Sequence, residues 1–574
     1  MDCIPLLICW LLRMQVDQII DRVVGLPHGN WRGISPGKLA LVYVAYVLHQ
    51  CTHVLQPMEA WVQLHQHTLR LALGEPIIPA DCTDDRLEIL LDRLGKEPCV
   101  GEQVLQQLGQ HAIRVYALPT AGVRIDFTSV SVFHKQIDDD SLLQFGRSKD
   151  HRPDLRQFKL ALGTLDPLGI PLVTTLLSGE QSDDPHYIDT YEKAMASIGH
   201  RQVLVVGDCK MASLQTRTWM QVKGSRYLTP LPMNQNVAKE LEKALQDRTN
   251  RSKKVYSVDE EGIPRDEEPE DAIGEGFVLE TQCEGKHPET GEQVTWTEQR
   301  FVVCSYAHAE RQIEAMQAKV AKAEKELNQL QNRFGQNEQA LKEQVDGYLK
   351  KSGIEGLLKV EFRKEIREQR KYKGRGRPGV NSKYVMEKNE SWQLEVTRDE
   401  AEMARQQGLL GWRMYASNTT PQELGLQAAV ASYRESWQPE RGFHRLKKGM
   451  MSIAPIWLKK EERIRGLVLL LTIALMALTL VEYVVRRDLY ERKEKVQGLH
   501  DLRGGKKTDR PTTERMLKAF EGIHLVILVV GEQEVGYVTP LNPLQKLLLE
   551  RMGLPDSIYA APVPISAPGY INKS

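Results

Sequence analysis

Three carboxylates in this chain have neighbours that could turn them to chemistry. Asp126 sits within Val-Arg-Ile-Asp-Phe-Thr-Ser-Val-Ser-Val at 123–132, an alternating strand pattern with one buried face. An unpaired carboxylate there is costly to bury and demands a strand-edge, paired or metal-bound setting. Asp208 directly follows Val-Leu-Val-Val-Gly at 203–207 and precedes a helical stretch, which places it at the carboxyl end of a strand, where α/β sheets build their sites. Taken singly, either Asp serves equally well as a helix cap or turn residue. Glu440 belongs to Tyr-Arg-Glu-Ser-Trp-Gln-Pro-Glu-Arg-Gly-Phe-His-Arg-Leu-Lys at 433–447, which spaces Tyr433, Glu440 and Lys447 seven residues apart. Seven residues are about two helical turns, so on a continuous helix acid and base share a face. Pro439 belongs in the first turn, since an interior proline breaks a helix, and Glu440 then lies near a helix N-terminus, where its charge is favoured. Phosphodiester cleavage by two metal ions needs such convergence: ions roughly 4 Å apart activate a water or 3′-hydroxyl and stabilise the leaving oxygen.

The spacing of Tyr433, Glu440 and Lys447 resembles the Y-x2-R-x3-E-x6-K signature of a large branch of DDE transposases encoded by bacterial insertion sequences. The Arg position of that signature holds Ser436, with Arg434 and Arg441 nearby. Upstream, Asp126 in Arg-Ile-Asp-Phe-Thr-Ser is similar to the first catalytic Asp with its following Thr, 146–154 is similar to the segment after it, and Asp208 resembles the second Asp. Arg-Pro-Thr-Thr-Glu-Arg at 510–515 resembles the C-terminal region. The resemblance implies a ribonuclease-H-like catalytic core interrupted by a large insertion domain between the second Asp and the Glu. It implies a transposase that binds the terminal repeats of a mobile DNA element, cuts its ends with water and transfers the freed 3′-hydroxyls to target DNA. It further implies Mg²⁺, with Mn²⁺ able to substitute, held by Asp126, Asp208 and Glu440, and double-stranded DNA as partner, contacted by Tyr433, Lys447, Arg434 and Arg441. A homodimer in the DNA complex and bacterial, nucleoid-associated cytoplasm complete the expectation. A nuclease of the same fold, or an inactive DNA-binding remnant, are the rival readings. His134, His151, His186 and His444 are expected as surface or phosphate contacts, and Cys209 as a small core residue.

The elements that must position these residues follow from periodicity and turn signals. Residues 1–105 read as a helical N-terminal domain, a common way to present a helix to DNA, with Asp84 and Asp85 at the cap of its last helix. The first part of an α/β catalytic core spans 106–232, with strand-like runs at 123–132, 171–177, 203–206 and 227–231. An insertion domain spans 233–400, containing strand-like 276–281 and 299–304. Ile313, Met316, Val320, Ala323, Leu327, Leu330 and Phe334 keep a 3,4 spacing that suits a helical hairpin within the chain. The second part of the core spans 401–500, where Thr-Pro-Gln-Glu at 420–423 reads as a capping box starting a helix, and a C-terminal segment covers 501–574.

Charge is globally balanced, 76 basic against 76 acidic residues, so DNA binding must come from local patches. The strongest is 363–377, which reads as loop-like and ends in Gly-Arg-Gly-Arg-Pro at 374–378. Arg375 and Arg377 could enter an A·T-rich minor groove, as in AT-hook peptides. The eight cysteines form no C-x-x-C pair, which fits a reducing cytosol. The apolar start, 1–14, lacks a basic n-region and reads as a packed helix. The apolar run at 466–481 is short for a bilayer, rising about 24 Å, and reads as a buried core helix, with no membrane partner.

Overall fold

The computed structural model describes the chain apart from residues 135–141, 259–267, 330–337, 373–374, 376–383, 435–436, 500–504, 531–532, 561–564 and 567–574. Helices α1 (Ile4–Arg13), α2 (Val16–Val24), α3 (Pro36–Gln50), α4 (Met58–Leu73), α5 (Asp84–Gly95) and α6 (Pro98–Tyr116) open it. Every residue from Leu39 to Leu48 in α3 is buried, so that helix is core on all sides. Thr83, rather than Asp84 or Asp85, caps α5: its hydroxyl accepts the Arg86 N–H at 3.4 Å. The two aspartates instead fill the first turn, where the dipole favours them. The expected boundary at 105/106 falls inside α6, whose stripe of Val104, Leu105, Leu108, Ala112 and Tyr116 keeps helical spacing to its end.

Next come β1 (Gly122–Val132), β2 (Arg156–Asp166), β3 (Ile170–Ser178), α7 (His186–Ile198), β4 (Leu204–Gly207), α8 (Leu214–Val222), β5 (Arg226–Pro230) and α9 (Gln235–Gln246). The first three strands run antiparallel, while β4 and β5 join parallel on the other side of β1. The order β3-β2-β1-β4-β5, with helices packed on it, is the ribonuclease-H-like arrangement. Strand β2 gives no alternating signal because nearly all of it is buried on both faces.

The segment between Asp208 and Glu440 carries β6 (Lys253–Val255), β7 (Gly274–Lys286), β8 (Gln293–Ser305), α10 (Tyr306–Gln329), α11 (Glu338–Ser352), β9 (Leu358–Tyr372), β10 (Tyr384–Arg398), α12 (Glu400–Gln407) and β11 (Trp412–Ser417). Strand β11 pairs antiparallel with β5, and β8, β7 and β6 follow outward. The inserted strands therefore extend the sheet to nine strands among the described residues. A satellite core forms where Val320, Ala323 and Leu327 of α10 meet Leu341, Val345 and Leu349 of α11. Leu330 and Phe334 lie outside the described residues. The basic stretch expected as loop is instead strand up to Tyr372, paired residue for residue with β10. Val360 and Phe362, opposite Val396 and Leu394, supply a half-buried face that the flanking charges obscure.

The chain closes with α13 (Leu426–Arg434), α14 (Trp437–Lys447), α15 (Glu461–Arg492), β12 (Val496–Gln497), β13 (Lys507–Thr508), α16 (Thr513–Lys518), β14 (Leu525–Val530), β15 (Gln533–Val538), α17 (Pro543–Arg551) and β16 (Ile565–Ser566). The capping-box hydrogen bonds of Thr420 and Glu423 form, at 2.7 and 3.3 Å, yet they close only a turn, and the helix waits until Leu426. Glu423 is also held by Arg226, which ties that turn to β5.

Helix α15 runs 32 residues and is long and apolar enough to cross a membrane, yet 89% of its most apolar window is buried inside the protein. It packs against β3, α5 and α6. Contact with α5 is backbone to backbone: a Cβ on Gly466 would lie 2.4 Å from the Leu91 carbonyl oxygen, and one on Gly95 would lie 1.8 Å from that of Glu462. One hydrophobic core joins α1–α6, the β1–β3 side of the sheet, α15 and the C-terminal helices.

Candidate active site

The parallel pairing of β1 with β4 runs from Gly122 opposite Leu204 to Ile125 opposite Gly207. One step beyond that paired stretch stand Asp126, in the middle of β1, and Asp208, directly after the carboxyl end of β4. The Asp126 carboxylate is half-buried and accepts the Phe127 N–H at 2.7 Å. Burial, and after it the charges of Asp208 and Glu440, push its carboxyl up to about 6 against the pull of Lys149 and of that hydrogen bond. Asp208 accepts the Tyr187 hydroxyl at 2.6 Å and the Lys210 N–H at 2.9 Å, and its carbonyl accepts the Thr229 hydroxyl at 2.8 Å. Tyr187 is fully buried against Phe127, ring centroids 4.8 Å apart. Its own burial and the adjacent Asp208 and Asp126 charges hold its hydroxyl well above the usual phenol range. It therefore stays a donor and fixes the orientation of Asp208.

Glu440 arrives from the far side of the sheet's connectivity. Arg124, 3% exposed, forks onto Asp166 at 3.0 Å with both nitrogens and donates to the Ser432 carbonyl at 2.6 Å. This pins the end of α13 to β1. Residues 435–436, which include Ser436, lie outside the described residues, and α14 is described from Trp437. Tyr433 lies on α13, and Glu440 stands exposed in the first turn given for α14, with Pro439 beside it in that turn. Its charge reaches Asp126, yet no three His, Cys, Asp or Glu side chains close into a metal-binding cluster among the described residues.

The basic residues divide by environment. Lys447 ends α14 and pairs with Asp150 at 3.0 Å. Arg441 pairs with Glu482, which is 2% exposed and also accepts from Arg445 at 2.6 Å and from the Thr513 N–H at 3.0 Å. That guanidinium thus serves to lock α14 onto α15. Arg434 and Tyr433 instead line a cavity of about 310 Å³ together with His308, Arg311, Arg413 and Tyr415. The Tyr415 and Tyr433 rings meet edge-on at 4.7 Å, and burial, followed by Tyr415, pushes the Tyr433 hydroxyl up. This cavity is cationic and aromatic, with no carboxylate in its lining. Arg375 is exposed just past the end of β9, and Arg377 lies outside the described residues.

Cys209 is exposed, not a core residue as expected: the strand ends at Gly207 and the chain turns away at once. Among the four histidines, His151 and His444 are exposed, whereas His134 and His186 are partly covered, and burial lowers the basicity of both. Sequence reasoning missed Tyr187, Lys149 and the cavity residues His308, Arg311, Arg413 and Tyr415. Lys149 lies in the stretch 146–154 already singled out. Tyr187 carried no signal beyond a buried place on an amphipathic helix.

Asp126, Asp208 and Glu440 offer hard oxygen donors whose mutual repulsion is opposed at Asp126 chiefly by Lys149. A divalent cation would relieve that excess, so the donor set fits one. Residues 119–477 match the family model described as Transposase DDE domain. No curated protein sequence matches the chain. Among solved structures, a cryo-EM piggyBac transposase synaptic complex with hairpin DNA is similar at 13% identity and a TM-score of 0.25, over 51% of this chain and 60% of that one. The chain spans less than two thirds of that relative's length.

Proposed function

From the premise that this chain belongs to the transposase DDE domain family, we propose that it binds the ends of a mobile DNA element, cleaves phosphodiester bonds there and transfers the freed 3′-hydroxyls to target DNA. The observation that carries this reading is that Asp126 on β1 and Asp208 after β4 stand side by side where the parallel pairing of the two strands ends. Asp126, Asp208 and Glu440 would hold divalent cations, Mg²⁺ foremost, which when bound lower the pKa of a nucleophilic water or 3′-hydroxyl and neutralise the leaving oxygen. Tyr187 and the Lys210 N–H hold Asp208 in one orientation. Arg124 fixes α13, and Glu482 through Arg441 and Arg445 fixes α14, so that Glu440 approaches the aspartates from a braced helix. Arg434, Arg413 and Arg311, in the cavity that Tyr433 lines, offer positive charge to the DNA backbone, with Tyr433 and Tyr415 as stacking surfaces. Lys447 releases Asp150 to reach a phosphate. Action as a homodimer on nucleoid DNA in the bacterial cytoplasm, as in the insertion-sequence branch, belongs to the same reading.

The test is an end-cleavage and strand-transfer assay with Mg²⁺ on DNA carrying the element's terminal repeats, comparing the wild-type chain with Asp126→Asn. Joined product from the wild type alone supports the reading. Cleavage without joining indicates a nuclease, and equal signal from both proteins removes Asp126 from the site.

A further inference from the structure

The ribbon formed by β9 and β10 is supported over only half its length. On one face of its proximal half, Leu358, Val360, Phe362, Trp392, Leu394 and Val396 pack into the satellite core with α10 and α11, and Arg398 anchors the base to Glu324 at 2.6 Å. Beyond Ile366 the two strands continue paired to Tyr372 opposite Tyr384, and Ile366, Val385, Met386 and Tyr384 stand 45–54% exposed. A two-stranded ribbon by itself is marginal in water, so this distal half is built to lie against something.

Charge identifies the occupant. From 358 to 366 and from 389 to 398 taken together, basic and acidic residues balance, whereas the described residues of the distal half, 367–372, 375 and 384–388, hold five Lys and Arg against two Glu. In a chain with equal totals of each sign, the described part of this distal half is a concentrated cationic patch. Arg370 stacks over Tyr384 at 5.6 Å, whose ring lies 6.0 Å from Tyr372, and Arg375 is exposed at the tip. The pairs Lys371 with Glu387 and Lys388 with Glu368, at 2.9 and 3.3 Å, are solvent-exposed. Such pairs are worth little and exchange readily for phosphates. A two-stranded ribbon fits the major groove of B-DNA, about 12 Å wide, and fifteen residues at roughly 3.3 Å each extend about 50 Å.

We propose that the distal half of the β9/β10 ribbon, a sheet separate from the one that carries Asp126, is an arm that lies in a groove of duplex DNA, extending the footprint without joining the chemistry. The inference rests on the reading of this chain as DNA-acting and adds where a second grip lies. Arg370, Lys371 and Arg375 contact phosphates, while Tyr372, Tyr384 and Met386 give the ribbon its apolar contact surface.

The test measures binding of the full-length protein to random duplexes of about 15 and about 40 base pairs across a salt series, for wild type and for R370E/K371E/R375E. R370Q/K371Q/R375Q serves as a second variant should charge reversal lower the melting temperature. On the long duplex the variants are expected to lose roughly tenfold or more in affinity, and the slope of log K against log salt should shrink by about 2 to 3, one per lost phosphate contact. Binding to the short duplex should be unchanged. Equal affinity and slope on the long duplex overturn the arm, as does equal loss on both lengths. A changed oligomeric state with unchanged DNA affinity overturns it too, since the ribbon would then serve a second copy of the chain. A wild-type protein that binds neither duplex removes the DNA-acting reading itself, an outcome distinct from failure of the arm.

Discussion

Asp126 and Asp208 are neighbours because Ile125 faces Gly207 across the parallel pair of β1 and β4. Eighty-two positions of sequence separate the two aspartates, and a single strand register brings them together. The cost of that convergence is visible in the Asp126 carboxyl, which burial and then its acidic neighbours push up to about 6.

That shift makes a pH prediction for the metal-free protein. The folded pKa of Asp126 lies above its unfolded value of 3.8, so the folded state holds the extra proton between the two. Stability therefore declines as pH rises from about 4 to about 6, by about 2 kcal/mol after discounting for solvent screening. Asp126→Asn should remove this decline, and Mg²⁺ at pH 7.5 should raise the melting temperature of wild type more than that of the variant. Parallel melting curves of the two proteins across that window would contradict the placement of Asp126.

Tyr187→Phe deletes the hydroxyl that orients Asp208 at 2.6 Å while keeping the ring against Phe127. We expect folding to weaken by about 1 kcal/mol and turnover in end cleavage to fall on the order of tenfold, with DNA affinity intact. A loss confined to DNA affinity would assign the tyrosine to binding instead.

Glu482→Gln leaves the guanidiniums of Arg441 and Arg445 short of their buried partner. Breaking such a pair costs about 3 kcal/mol, and α14, which carries Glu440, should loosen with it. Hydrogen exchange across 437–447 provides the check: protection there should drop more than in β1, whereas uniform change would deny the specific link.

Gly466→Ala places a methyl 2.4 Å from the Leu91 carbonyl oxygen and must push α5 from α15. Destabilisation of about 1–3 kcal/mol is expected, read as a lower denaturant midpoint. An unchanged midpoint would mean that the two helices do not approach as closely as described.

Arg413→Ala and Arg434→Ala each remove one cation from the cavity that Tyr433 and Tyr415 line. Each should weaken DNA binding uniformly across sequences and reduce the salt slope by about 1. Altered sequence preference at constant slope would instead indicate base contact.

What the amino-acid order determined by itself was local. The alternation at 123–132, the apolar run before Asp208 and the apolar stripes of α2–α5 specify β1, β4 and those helices, because side-chain period and turn residues are properties of neighbours in sequence. The spacing of Tyr433, Glu440 and Lys447 likewise stood out before any fold was known. Tertiary structure decided the rest, for reasons that no local pattern contains. Strand β2 is buried on both faces and α6 runs on to Tyr116, so neither advertised its limits. The inserted strands joined the sheet because β11 found the open edge of β5. The basic stretch before Arg375 became strand because β10 supplied its partner. Asp126 and Asp208 carried little weight as single residues, and Tyr187 none. Only the register of β1 against β4, and the packing of α7 beneath them, made these three a unit.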